Sequence, residues 1–530
     1  MSQRLFRQFG MAAVALPLAF VVGCGGSSSD DPAPKDDGND GNITTSIYDA
    51  EDYHFLSKLE GSEEETSISY TGQTARQILI EDLKAQIGDL ASLTGASEDD
   101  IRQALQDYVR GSEDSLDATG VGNLNDIEYF FSKDNVVLTP RPTYGDISEN
   151  KNLAGKIAGG YINEDPDASD EDAIKGEPSR LISDFFGWSD ASFEPRDDST
   201  KPLQFLDYLI DNVVARTLVA ANGGFKINID TEDEVANIVT PYLDRQGRDY
   251  QQLIQKFVLG AVAFSQGTTD YLAGTNYRES NSFADGKTYT TAEHKWDEAF
   301  GYFGAARDFL KYDDASIRGK GTSEEFGKGY HDTNNDGEID LTSEINLAAS
   351  VNCAKRDLGS KDNTSPTDFT KEAFEAFRKG RALLNEASAD APNDLSDAQI
   401  TELEGYATTA ALTWEKCIAA TVIHYINDLR KDMDEYSGES FASVENFENV
   451  AKHWSEMKGF ALGLQFSPYS PFRANEEALK SLDDILTLMR DAPVLPGADN
   501  VDTYRNTDLI TARNALRDAY GFDPENAEKW

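Results

Sequence analysis

Long stretches with helical apolar periodicity dominate this sequence and limit the folds that it can adopt. In residues 69–90, Leu79, Leu83, Ile87 and Leu90 form one apolar stripe with polar residues opposite, as expected for an amphipathic helix. Similar helix-length stretches, mostly free of proline, cover residues 202–221, 249–272, 369–387, 407–429 and 476–492. Alternating, strand-like runs are scarce, and FKINID (225–230) is the clearest. We therefore predict a mainly α-helical fold of bundled helices.

One short pattern occurs twice. EHKWDEAFGYFG (293–304, the first copy) and KHWSEMKGFALG (452–463, the second copy) each place a His shortly before a Trp, a Glu two residues after the Trp and a Gly five residues after it. Each copy follows a long apolar helix, 249–272 or 407–429. We therefore predict an internal duplication that gives two related helical bundles.

The histidines of the two copies are candidate metal ligands. On a helix, His294 shares a face with Asp297 and Glu298, and His453 shares one with Glu456. An imidazole and a carboxylate one turn apart can contribute to a transition-metal site, for iron or zinc, if a facing helix adds further ligands. The alternative is structural: each His bonds its neighbouring carboxylate.

Two further expectations concern this region. Thr290 and Glu293 have the spacing of a capping box, which would start the first helix just ahead of its His. None of the other histidines, His54, His331 and His424, has a convincing acidic partner at helical spacing.

The segment DTNNDGEIDLTSE (332–344) predicts a calcium loop resembling an EF-hand. Oxygen ligands come at alternating positions, Gly337 supplies a sharp turn, and the closing acid stands one residue late because Ser343 occupies the twelfth position. The predicted Ca²⁺ ligands are Asp332, Asn334, Asp336, Glu338 through its backbone carbonyl, Asp340 and Glu344. Its expected role is to brace a long loop between the repeats; the alternative is an acidic turn without an ion.

The first residues predict export and lipidation. Arg4 and Arg7 precede an apolar run too short to span a membrane as a mature helix, and Gly23 stands directly before Cys24 in a lipobox arrangement. We predict a signal peptide, lipidation of Cys24, and a cell-envelope protein of the outer membrane facing either side; an ordinary secretory signal is the alternative. The polar, acidic residues after Cys24 predict a flexible tether.

Charge and cysteine content restrict the partners. The chain has 530 residues and a formal net charge of -47, so its surface repels phosphate backbones and nucleic-acid binding is not expected. Once Cys24 is lipidated, Cys353 and Cys417 remain; outside the cytoplasm they can form a disulfide or stay as two buried thiols.

The predicted organisation has five parts. They are a signal peptide (1–23), a disordered tether (24–46), an N-terminal helical bundle region (47–320), a loop region with the calcium motif (321–365) and a C-terminal helical bundle region (366–530). HExxH, GxSxG, Walker A and GxGxxG motifs do not occur in the sequence. We therefore predict that the protein is not an enzyme.

Several separated segments resemble a known family. SISYTGQTARQILIEDLK, DTNNDGEIDLTSEIN, SVNCAKRDLGS, FEAFRKGRALL and VIHYINDL look like an uncharacterised bacterial lipoprotein family, known as a domain of unknown function. Members are commonly encoded beside imelysin-like proteins and TonB-dependent receptors. The resemblance therefore implies, by association, a role in iron or other metal acquisition, with one of those proteins as a partner.

The doubled pattern is also similar to the imelysin signature, Gly-x-His-x-x-Glu, whose family is all-α and built from two related bundles. The matching positions are Ala451, His453 and Glu456 in the second copy, and Ala292, His294 and Asp297 in the first. Both copies have Ala for Gly, and the first has Asp for Glu.

The predicted function is a non-enzymatic component of metal acquisition in the cell envelope. The alternative is an adaptor that docks a receptor or partner lipoprotein and has no transition-metal site. A hydrolase is a more distant third possibility.

Overall fold

The structure is a computed structural model that describes residues 51–93, 95–116, 120–132, 136–159, 185–193, 201–231, 234–273 and 281–530. The predicted signal peptide, Cys24 and the acidic tether lie outside the described residues.

The described residues are mainly helical, as predicted. The α-helices are α1 (Thr71–Gly88), α2 (Glu98–Arg110), α3 (Tyr144–Ile147), α4 (Lys201–Ala221), α5 (Tyr250–Val258), α6 (Thr291–Phe303), α7 (Asp314–Ile317), α8 (Ala348–Ser360), α9 (Phe369–Ala387), α10 (Asp397–Asp434), α11 (Val444–Gly463), α12 (Glu476–Met489), α13 (Val501–Thr503), α14 (Leu509–Tyr520) and α15 (Pro524–Lys529). Short 3₁₀ turns lie at Leu90–Ser92, Glu113–Ser115, Ala154–Lys156, Phe309–Lys311, Ser388–Asp390 and Pro471–Arg473.

One small sheet is present in the described part of the chain. Strands β1 (Phe225–Asn228) and β2 (Val235–Ile238) pair antiparallel, with Phe225 opposite Ile238. The predicted strand-like run therefore forms a hairpin, and its alternate side chains are buried.

The apolar helix predicted from residue 249 to residue 272 changes its winding. After α5 the chain continues as two π-helical segments, Leu259–Phe264 and Gln266–Tyr271. π-Helical turns are rare and usually short. Here they carry the chain from α5, which packs on α11, to α6, which packs on the second π segment.

The helices pack around one continuous hydrophobic core. The long helix α10 packs against α8, α9, α11 and α14, while α5 packs against α1, α4 and α11. The core therefore includes residues from both predicted helical regions. The stripe predicted on α1 is buried, with Leu79, Leu83 and Leu90 each 1% exposed and Ile87 0%.

Local signals fix the ends of α6, the helix that carries the first copy. The Thr290 hydroxyl accepts a hydrogen bond from the Glu293 backbone N–H, and the Glu293 carboxylate accepts one from the Thr290 N–H, as predicted for a capping box. The helix ends at Gly304, whose φ of 81° is left-handed, a conformation that glycine adopts at little cost.

Within the described ranges, no helix is both long enough and apolar enough to cross a membrane.

Candidate functional site

The tryptophans of the two copies have equivalent roles in packing. Trp296 and Trp454 are both 0% exposed. The indole N–H of Trp296 donates to the Phe377 carbonyl oxygen at 2.8 Å, and that of Trp454 donates to the Met489 carbonyl oxygen at 3.0 Å. Each ring is thus anchored to the backbone of another helix, which satisfies its one polar atom in the core.

The residue after each Trp binds the start of a neighbouring helix. Asp297 accepts a hydrogen bond from the Ser69 N–H (3.1 Å), just before α1, and the Ser455 hydroxyl accepts one from the Asp249 N–H (2.8 Å), just before α5. Backbone N–H groups at helix starts lack partners within the helix, so both copies satisfy a donor in the same way.

The glycine five residues after each Trp permits close helix contact. A Cβ added to Gly301 would lie 2.8 Å from Tyr70 Cβ, beside the start of α1, and one added to Gly459 would lie 2.7 Å from Lys256 Cβ on α5. The repeated pattern therefore packs α6 on α1 and α11 on α5.

The first copy is sealed by a buried ionic network. Arg381, on α9, is 0% exposed and donates from Nη1 to Glu293 at 2.6 Å and from Nε to Asp297 at 2.8 Å. Asp297 also accepts from the Tyr53 hydroxyl at 2.7 Å. Burial lowers the pKa of Arg381, but Asp297 and Glu293 raise it above its ordinary value, so the guanidinium stays charged.

His294 and Glu298 lie beside that network. His294 Nδ1 donates to the Ser69 carbonyl oxygen at 3.1 Å, and its Nε2 lies 3.9 Å from Glu298 Oε1 without a hydrogen bond. Glu298 accepts from Gln73 Nε2 at 3.0 Å. Burial raises the pKa of Glu298, but Lys295 and His294 offset this and hold it at about 2. Glu298 is therefore ionised and already has cationic neighbours.

The second copy has different charge partners. His453 Nδ1 donates to Asp432 at 2.7 Å, and the His453 side chain is 17% exposed. Glu456 accepts from the Tyr425 hydroxyl at 3.0 Å and lies 3.5 Å from Lys256 Nζ. The partners of His453 and Glu456 come from α5 and α10.

The five predicted transition-metal ligands thus form two groups with separate partners. His294, Asp297 and Glu298 contact residues of α1, α9 and the segment before α1, whereas His453 and Glu456 contact α5 and α10. In the described part of the chain, no three or more His, Cys, Asp or Glu side chains form a group that could hold a metal ion.

Two histidines have acidic partners that the sequence analysis missed. His424 Nε2 lies 3.2 Å from Asp428, four residues along α10, so the expectation that His424 lacks a helical partner is wrong. His331 contacts Asp308 at 2.8 Å and Glu325 at 2.9 Å, and these contacts depend on the tertiary fold. The i,i+4 spacing of His424 and Asp428 was readable from the sequence.

His424 and His453 are close enough to influence each other electrostatically. Burial, and then the nearby Arg356 and His453, lower the pKa of His424 to about 4, while Asp428 opposes them. The His424 side chain is 27% exposed. His424 of α10, with a neutral imidazole, and His453 of the second copy are therefore electrostatic neighbours, and both side chains are partly exposed.

The predicted calcium loop is closed by hydrogen bonds. Asp332 accepts from the backbone N–H groups of Asp336 (3.2 Å) and Gly337 (2.8 Å). Glu344, 3% exposed, accepts from the N–H groups of Thr333 (2.8 Å) and Asp340 (2.9 Å). The late acid thus reaches back across the loop.

One member of the loop has an additional partner. Asp340 accepts from Arg141 at 3.0 Å and from the Thr342 hydroxyl at 2.6 Å. A Ca²⁺ ion at this position would compete with the guanidinium for the carboxylate.

Cys353 on α8 and Cys417 on α10 are joined by a disulfide, with Cα atoms 4.9 Å apart. Cys417 also lines a small cavity that is partly open to solvent. Its other lining residues include Leu259, Asn352, Trp414 and Phe460.

Comparison with known proteins gives one match. No curated protein and no solved structure matches the chain. Residues 198–402, from just before α4 into α10, match the model of a family described as a domain of unknown function, DUF4856. The matched range contains the first copy, the predicted calcium loop and Arg381, and it ends before His453.

Proposed function

We propose that this protein is a lipid-anchored, non-enzymatic component of metal acquisition in the cell envelope, and that it handles transition metal at the second copy. The observation that supports this is the pair of histidines, with His453 Nδ1 hydrogen-bonded to Asp432 and His424 Nε2 3.2 Å from Asp428. The proposed anchor is Cys24, followed by the acidic tether.

The aspartates orient the two imidazoles. Metal-ligating histidines usually donate their other ring N–H to a carboxylate or carbonyl, which fixes the ring. His453 uses Nδ1 for Asp432, which leaves Nε2 for a ligand. Because burial and Arg356 lower the pKa of His424 to about 4, its imidazole is neutral at neutral pH, the form that binds metals.

The small number of ligands favours transient handling. A structural zinc site uses four protein ligands, and two histidines hold a metal more weakly. Fe or Zn bound here would take its remaining ligands from solvent, from a chelator or from a partner. This suits a protein that passes metal to a TonB-dependent receptor or an imelysin-like lipoprotein, the partners that the family resemblance implies.

For the first copy we propose a structural role. His294, Asp297 and Glu298 already have partners in a closed interior, and Asp297 accepts a hydrogen bond from the buried Arg381 guanidinium. A metal there would have to displace a buried cation.

We further propose that residues 332–344 bind Ca²⁺ and brace the loop between the copies. Asp332, Asp336 and Glu344 each accept a hydrogen bond from a backbone N–H of this loop, which holds the loop in one conformation. Added Ca²⁺ should raise the melting temperature of the full-length protein, and Asp336→Asn should abolish the increase. Asp484→Asn, at an exposed pair with Lys480, is the control, and an equal increase in Asp336→Asn would exclude this loop.

The adaptor function is the second candidate. It is favoured by the finding that no group of three potential ligands occurs in the described ranges. In that case the histidine–aspartate pairs on α10 and α11 serve only to hold the two helices together.

Metal titration of the chelator-stripped, full-length protein separates the two candidates. We expect Zn²⁺ or Fe²⁺ binding that is lost in His424→Ala/His453→Ala and retained in His294→Ala. Binding that survives the double substitution, or no binding of either ion, would favour the adaptor.

A further inference from the structure

An open pocket lies between the loop that joins α8 to α9, helix α10, and the turn that joins α14 to α15. We call it the C-terminal pocket. No residue of either copy of the repeated pattern lines it. Its lining includes Ser365, Phe369, Lys416, Tyr520, Phe522 and Asp523.

Hydrogen bonds hold two walls of the C-terminal pocket together. Asn526, which also lines the pocket, is 1% exposed. It donates from Nδ2 to the Ser365 carbonyl oxygen at 2.7 Å and accepts from Asn363 Nδ2 at 2.8 Å. The Thr364 N–H donates to the Glu525 carboxylate at 2.9 Å. The loop before α9 is therefore fixed to α15 at three points, and the pocket is formed without a ligand, as is usual for small-molecule sites.

Aromatic rings form part of the lining. Tyr520 and Phe522 stack with their ring centroids 5.6 Å apart and their planes at 19°. The Phe369 ring lies 6.1 Å from that of Phe522. The Tyr520 hydroxyl donates to Glu415, which is 0% exposed, at 2.6 Å. This hydrogen bond satisfies the phenol group and fixes the orientation of the Tyr520 ring.

The charges that line the C-terminal pocket balance. Lys416 is the one cation among the lining residues, and its ammonium group forms no ion pair with another described residue. Asp523 is the one lining carboxylate, and its Oδ1 accepts from the Glu525 N–H at 2.8 Å. Glu525 itself pairs with Lys529. The remaining charged residues of the loop before α9 do not line the pocket; they are Lys361, Asp362 and Asp368.

The group behind the aromatic rings adds no charge at neutral pH. Burial raises the pKa of Glu415 to about 8, against the effect of three nearby hydroxyl groups. Its carboxyl group is therefore mainly protonated at pH 7. The pocket thus offers one ammonium group, one carboxylate and a neutral aromatic surface.

This lining excludes some ligands and suits others. A polyanion would find a single lysine on a protein with a formal net charge of -47. A lipid chain would leave Lys416 and Asp523 without water or a polar partner. A saccharide has hydroxyl groups that can accept from the lysine and donate to the aspartate, and its C–H groups can pack against aromatic rings.

We propose that the C-terminal pocket binds a small saccharide that is neutral or carries one charge. Lys416, Asp523 and Ser365 would bond its hydroxyl groups, and Tyr520 and Phe522 would contact its apolar face. This site is separate from the proposed transition-metal and calcium sites, and the inference does not depend on either of them.

A glycan array probed with the tagged, full-length protein tests the proposal, and isothermal titration calorimetry with the best-binding disaccharide measures the affinity. We expect at least one group of glycans to bind. Lys416→Gln should weaken binding by about tenfold, because it removes a charge-assisted hydrogen bond. Lys431→Gln removes the same charge from an exposed position on the same helix and should leave the affinity unchanged.

A blocking variant separates the pocket from the rest of the surface. Ser365 is exposed, so Ser365→Trp should fold normally and place an indole ring in the pocket. The disaccharide should raise the melting temperature of the native protein and not that of Ser365→Trp.

Three results would overturn the proposal. They are the absence of glycan binding, native affinity in Ser365→Trp, and an equal loss in Lys416→Gln and Lys431→Gln. Glycyl-tyrosine, a zwitterion with an aromatic ring, is the competing probe. Its binding in place of every glycan would assign the pocket to a peptide and would also overturn the proposal.

Discussion

In the first copy of the pattern, on α6, a buried arginine from α9 pairs with two carboxylates, whereas in the second, on α11, the partly exposed His453 pairs with Asp432 and Glu456 lies beside Lys256. Both use Trp, the residue after it and Gly for the same contacts with a neighbouring helix. They differ in the groups around the His. The comparison teaches that the shared positions serve packing, and that a function particular to one copy must lie in the positions that differ.

The largest expected effect on stability comes from removing the buried arginine that pairs with the first copy. Arg381→Met would leave Glu293 and Asp297 buried without their cation, and we expect the free energy of unfolding to fall by about 3–5 kcal/mol. Urea unfolding would measure this. Arg102→Met, at an exposed pair with Glu98, should cost no more than about 1 kcal/mol; equal losses in both would mean that Arg381 does not seal the first copy.

A pH titration sharpens the comparison at the second copy. Burial raises the pKa of Asp249 from its ordinary 3.8 to about 7, with the nearby Glu456 contributing. Because the folded pKa is the higher one, this contribution to stability is complete below about pH 4 and is lost as the pH rises through about 7.

Asp249→Asn keeps an N-cap for α5 and removes the titration. Relative to it, the native protein should lose roughly 2–4 kcal/mol between pH 4 and pH 7, at about 1.4 kcal/mol per pKa unit. Urea unfolding at several pH values checks this, and parallel profiles for the two proteins would contradict it.

The glycines test whether the two copies pack equivalently. Gly301→Ala and Gly459→Ala should each destabilise the protein by about 1–3 kcal/mol through overpacking. Gly405, in the interior of α10, has no atom within 4 Å of an added Cβ. Gly405→Ala should therefore be neutral or stabilise by up to about 1 kcal/mol. Thermal unfolding of the three variants measures this. If Gly301→Ala or Gly459→Ala were as stable as Gly405→Ala, that copy would not pack closely against its neighbouring helix.

The smallest effect is expected at the histidines. His294, 5% exposed, stacks on Tyr289 with ring centroids 4.7 Å apart, and His294→Ala should cost about 1–2 kcal/mol. His453→Ala removes a partly exposed pair and should cost no more than about 1 kcal/mol. If His453→Ala proved the more damaging in urea unfolding, the second copy would also be structural.

Helix positions were predictable because they follow from local periodicity. The stretch predicted at residues 369–387 coincides with α9, and the capping box of α6 is present as expected. The π segments after α5 were not predictable, since the apolar residues of 259–271 suit an α-helix equally well.

The sites depend on contacts between distant parts of the chain. Arg381 lies 84 positions from Asp297, and no local pattern marks the two as partners. By contrast, the His424 and Asp428 pair has ordinary helical spacing and could have been identified from the sequence.

The disulfide between Cys353 and Cys417 makes the stability of the fold depend on the redox conditions around it. It ties α8 to α10 across a separation of 64 residues, a link worth about 4 kcal/mol in the chain-entropy model. Reduction of this bond would free α8 from α10 and lower the free energy of unfolding by about that amount.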